Sequence, residues 1–154
     1  MQIIKYLSEQ VAERLTFYKE NNPSGAFPKS IYFFRKKLSD GNSRKVSQAE
    51  VVLIKKGCLM ASGDPDYKPR ITYIHCGMSK NTKFFPTNPE HIDKYGNCAP
   101  GTVVDRGITT IWKNDFYLKA HVPEHGTSRF AYYLVTHDEN RLTADGFQSM
   151  VSTM

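Results

Sequence analysis

The chain has 154 residues, 40% of them hydrophobic and 23% charged, and a formal net charge of +6. That is enough for one packed domain, and the mix excludes a disordered polymer. No apolar run reaches membrane length, and Cys58, Cys76 and Cys98 are far apart with no CxxC pair, which indicates neither a disulfide framework nor a zinc module.

The cysteines therefore read as buried, reduced thiols, in keeping with a cytoplasmic or nuclear protein. Lys5, Glu9, Glu13 and Arg14 interrupt the N-terminal apolar residues, unlike a secretory or mitochondrial leader. Basic residues cluster as Arg35-Lys36-Lys37, Arg44-Lys45, Lys55-Lys56 and Lys80 with Lys83. Such clusters fit a polyanionic partner and fit a solvated surface equally well.

In chain order, Ile3, Ile4, Leu7, Val11 and Leu15 recur at helical spacing and predict an amphipathic helix over 2–20, stopped by Asn21-Asn22-Pro23-Ser24-Gly25. Ser30 to Phe34 reads as a buried strand, followed by a turn at Ser39-Asp40-Gly41-Asn42. A second helix is expected over 43–56, burying Val46, Ala49, Val52 and Leu53, with Gly57 as its C-terminal cap. Residues 62–69 form a loop, and Arg70–Cys76 and Lys83–Phe85 form strands around a polar turn. Residues 86–100 read as a surface excursion. Further strands are expected at Thr102–Val104, Asp115–Ala120 and Phe130–Thr136, and a last helix from Thr143. The pattern is α/β.

Three blocks carry a more specific signal: Pro100-Gly101-Thr102-Val103-Val104-Asp105-Arg106; Asp115-Phe116-Tyr117-Leu118 with Ala120-His121; and Gly126-Thr127-Ser128-Arg129. Their order and spacing resemble the latter half of an Argonaute PIWI domain. The resemblance is strongest over 100–139 and extends more weakly to Ile31-Tyr32-Phe33-Phe34-Arg35 and to Asn81-Thr82-Lys83-Phe84-Phe85, so residues 1–154 read as a single partial PIWI domain. It implies a partial RNase H-like fold, a mixed β-sheet flanked by helices, and a role in small-RNA-mediated gene silencing. A fragment of such a sheet is expected to be marginal or self-associating, through an uncovered edge.

In slicing members of this family, carboxylates hold the divalent cations that cleave the target strand. The resemblance puts one of them at Gln2, ahead of Ile3-Ile4, and another at Lys36, after Phe33-Phe34-Arg35. The remaining two lie outside 1–154. A neutral amide is no anion, and an ammonium repels a divalent cation nearby by on the order of several kcal/mol. No catalytic residue, metal or cofactor is therefore expected, and the chain is read as catalytically inactive. His121 and His125 are four apart, but in a strand-to-loop region where that spacing does not align the rings for a metal. Ser128 lacks a nucleophile elbow, and Asp138-Glu139 reads as a turn.

Backbone binding of RNA remains. The resemblance assigns Lys83, His121 and Arg129 to the nucleic-acid channel, with Lys80, Thr127 and Ser128 as neighbours; the partner is a single-stranded small RNA or a guide–target duplex. Two other readings stand beside it. One is a protein-interaction fragment that accepts a Trp-rich silencing partner near Phe17-Tyr18-Lys19 and Pro28. The other is a truncated paralogue with no independent function.

Overall fold

The computed structural model describes residues 3–36, 40–79, 82–121 and 129–153. Helix α1 (Leu7–Asn21) leads to strand β1 (Ser30–Lys36), helix α2 (Asp40–Ser62) and strand β2 (Arg70–Met78). Strands β3 (Val103–Val104), β4 (Asn114–Leu118) and β5 (Ala131–Asp138) follow, then helix α3 (Ala144–Ser152). The strands form one sheet in the order β1-β2-β5-β4-β3. Arg70 N–H donates to the Lys29 carbonyl at 3.0 Å, so β1 and β2 start side by side with α2 as the crossover between them. β3, β4 and β5 pair antiparallel, with Leu118 opposite Ala131 and Val103 opposite Leu118. The sheet is mixed and flanked by helices, as expected.

The chain divides into two compact units, residues 1–74 with 136–140, and residues 75–135 with 141–154. In the first, Leu7, Leu15, Val51, Ile54, Cys58, Ile71 and Tyr73 form the core. Burial pushes the Cys58 thiol up to about 11.

Four expectations are corrected here. The first helix starts at Leu7, because Tyr6 is left-handed (φ 58°) and breaks the helical run; the Ile4 N–H ahead of it bonds the Glu50 carboxylate at 2.9 Å. Asp40, Gly41 and Asn42 are the opening turn of α2, a place that suits short polar residues as well as a turn does. Val52 is 65% exposed; the inward face is Ser43, Val46, Ser47, Glu50, Val51, Ile54 and Cys58, whose three polar members hid the periodicity. Gly57 lies inside α2, where it lets α1 approach; the residue after the helix is Gly63, at φ +66°, whose N–H donates to the Leu59 carbonyl.

Glu50 is the polar centre of this unit. Fully buried, it accepts from Ile4 N–H and from the Tyr73 hydroxyl at 2.5 Å, and its Oε2 lies 3.4 Å from Arg35 Nε. Burial, then the bond to Glu50, pushes the Tyr73 phenol well above its usual range. One carboxylate thus ties the N-terminal segment, α2, β1 and β2. At the other margin, Asp138 accepts from the Thr72 hydroxyl at 2.5 Å and from Asn140 N–H. Glu139 accepts from Ile71 N–H and from Lys55. Burial works to raise the Glu139 carboxyl, but Lys55, the Ile71 amide and His137 outweigh it, and the net direction is down. Asp138 and Glu139 thus tie the end of β5 to β2 and α2.

Candidate nucleic-acid interface

All the candidate binding residues fall in the second unit, which positions Lys83, His121 and Arg129 among the described residues. Strand alternation gives β4 and β5 two ring-bearing faces. On one, Phe116 stacks on Tyr133 at 5.2 Å and meets Phe147 of α3 edge-on at 5.5 Å. On the other, Tyr117 lies 4.9 Å from Tyr132, and the Phe84 ring touches both Tyr117 and Phe130, at 5.3 and 4.7 Å.

The second cluster gathers the candidates. Lys83 precedes Phe84, Arg129 precedes Phe130, and His121 lies three residues past the end of β4. Ser79 N–H donates to the Phe130 carbonyl at 2.9 Å, which pins the end of β2 beside Arg129. Lys83, His121 and Arg129 are all solvent-exposed. Aromatic packing thus draws their backbones to one region while their polar heads face water, where they can meet a phosphate chain. Ser79 closes a turn by accepting from Thr82 N–H at 3.2 Å. Lys80 lies outside the described residues, as do Thr127, Ser128, His125 and Gln2.

Lys83–Phe85 is not a strand. Phe84 faces inward as an anchor and Phe85 is 73% exposed, an alternation that copies a strand without a pairing partner. Residues 86–100 are more ordered than a surface excursion implies. The buried Lys119 ammonium reaches the Asp93 carboxylate at 2.7 Å and the Cys98 carbonyl, and Asp93 also accepts from Tyr95 and Asn97 N–H groups. Gly101 N–H to the Lys119 carbonyl, at 2.7 Å, completes the clasp two residues before His121. The sequence did carry a signal for it: a lysine directly after an apolar strand must bury its head with an acid or point it out.

The Lys119 ammonium, followed by opposing burial and then by backbone amides, holds Asp93 down to about 2. A depressed carboxylate stabilises the fold above its unfolded pKa, and that stability is lost as pH falls through the folded value. The melting-temperature gap between wild type and Asp93→Asn should therefore be constant from pH 8 to 5 and close between about 4 and 2. A gap that shrinks already between pH 7 and 5 would assign the clasp to other groups.

Lys36 is exposed at the end of β1, in the first unit. Among the described residues no three His, Cys, Asp or Glu side chains converge as a metal site. Phe17 and Tyr18 are 59% and 46% exposed on α1. Pro28, with Phe27, Tyr67 and Pro69, lines a cavity of about 580 Å³.

The family model described as Piwi domain matches residues 1–154. The chain belongs to the Piwi domain family. This Piwi chain is 40% identical over 134 residues to protein argonaute 10 of Arabidopsis thaliana and 38% to protein argonaute 1A of Oryza sativa subsp. japonica. Each alignment covers 85% of this chain but only 13% and 12% of those proteins, so it spans a small part of their length. It superposes with a TM-score of 0.85 on the C-terminal lobe of a budding yeast Argonaute, at 30% identity, covering 96% of this chain and 31% of that one. Kluyveromyces polysporus Argonaute with a guide RNA gives the same score and identity over 97% of this chain and 18% of that one. The sheet and helices are thus those of an RNase H-like Argonaute lobe, as the sequence blocks implied.

Proposed function

We propose that this Piwi chain is a catalytically inactive RNA-binding segment that holds a small RNA, alone or paired with its target, by the sugar-phosphate backbone during gene silencing. The observation that carries this is the convergence of the segments bearing Lys83, His121 and Arg129 through one aromatic cluster, with all three side chains exposed. The net charge of +6 adds long-range attraction for a polyanion. A similar chain solved with a guide RNA also supports the reading. Inactivity rests on Lys36, a cation where the resemblance calls for a metal-holding carboxylate.

Fluorescence anisotropy with labelled single-stranded RNA of several sequences tests the proposal. Arg129→Ala should weaken every RNA by a similar factor, roughly 3- to 10-fold, and lower the log–log salt slope by about one. His121→Ala should act in the same direction. Unchanged affinity in both variants would remove these residues from the interface, and magnesium-dependent cleavage by the purified chain would overturn the inactive reading.

A further inference from the structure

The loop between β3 and β4 takes no part in the site above, yet it carries the most exposed large apolar side chains among the described residues. Ile111 is 97% exposed and Trp112 81%, with Ile108 at 52%. Trp112 is the single tryptophan of the chain.

Hydrogen bonds tie the turn down. At its base, buried Asp115 accepts from Thr110 N–H at 3.2 Å and from the Tyr132 hydroxyl at 2.7 Å. The Thr109 hydroxyl donates to the Asp105 carbonyl at 2.6 Å, Lys113 N–H donates to the Thr110 carbonyl, and Gln148 of α3 donates to the Asp105 carboxylate. The loop is thus braced at both ends, and its apolar residues are held in water rather than folded onto the protein. On its flanks are two exposed cations, Arg106 and Lys113, the Arg106 side chain 96% exposed although its Nε lies 3.9 Å from Asp105.

We propose that this loop is a stacking platform for an unpaired base of a single-stranded nucleic acid, with Trp112 as the face and Arg106 and Lys113 holding the adjacent phosphates. The inference rests on the RNA-binding reading and extends it to a site that contacts a base. Area and charge select this occupant. Three side chains offer at most a few hundred Å², well short of the roughly 800 Å² per partner of an ordinary protein interface. A base needs only one ring face, and cations beside that face match the phosphates on either side of it. A braced loop also has little conformational freedom left to lose on binding.

The lone tryptophan makes the test direct. The whole chain is titrated with a labelled single-stranded RNA and with an abasic strand of equal length, and both indole emission and anisotropy are read. The base-bearing strand should quench the emission and the abasic strand should not. Trp112→Ala should weaken the base-bearing strand by roughly 5- to 100-fold, leave the abasic strand unchanged, and be partly rescued by Trp112→Phe. Arg129→Ala should weaken both strands. If both strands bind, emission stays constant and Trp112→Ala binds normally, the platform is overturned and the backbone reading stands. If neither strand binds, the backbone reading falls and the platform with it. An emission shift that grows with protein concentration in the absence of RNA would show that a second copy covers the loop, which also overturns the platform.

Discussion

Glu50→Ala should remove a large share of this chain's stability, roughly 3–5 kcal/mol, because it deletes one partner of a buried charge pair and leaves the others in place. The Tyr73 hydroxyl, the Ile4 amide and Arg35 all lean on that carboxylate, which is fully buried. That figure already contains the cost of leaving those donors short of an acceptor. Against a total stability of roughly 5–15 kcal/mol, that is a large fraction. Glu50→Gln keeps the shape and one acceptor oxygen and should lose less. Urea denaturation followed by circular dichroism measures both; an Ala variant with the midpoint and slope of wild type would show that Glu50 ties nothing together.

Gly57 should give the second largest effect, with a sign opposite to helix propensity. On propensity alone, Gly57→Ala in the middle of α2 would stabilise by about 1 kcal/mol. A Cβ at that position, however, would lie 2.6 Å from the Ser8 carbonyl oxygen and 2.8 Å from Val11 Cβ. The first of these is backbone of α1, which cannot swing aside as a long side chain can. Overpacking of this kind costs about 1–3 kcal/mol and rises with side-chain size. We expect Gly57→Ala to lose roughly 1 kcal/mol net, and Gly57→Leu considerably more. A thermal melt that rises for the alanine variant would mean the two helices are not in close contact.

These two residues also mark where sequence reading stopped. The apolar runs at 30–34, 70–76 and 130–136 disclosed their strands, since β-branched and aromatic stretches have few other uses. The ordered sequence blocks disclosed the family. Gly57 was misread because a glycine ending a helix and one admitting a neighbouring helix look alike in one dimension. Glu50 was overlooked because a carboxylate in a helical run ordinarily faces water, and the groups that justify burying it lie at residues 4, 35 and 73. Within the site, Lys83, His121 and Arg129 came from resemblance, while the means of gathering them did not. Nothing local says that Phe84 will touch Phe130, or that Lys119 will reach back to Asp93. Long-range pairs are invisible until the strand order is known.

That order bears on how the chain is made. β2 leaves the ribosome some fifty residues ahead of β5, yet the two lie side by side in the finished sheet. Until β5 emerges, the Ile71–His75 stretch, which ends fully covered, waits with one row of its amides and carbonyls unmatched. β5 is the keystone that arrives late, and until it inserts, that open row offers a pairing surface to other strands.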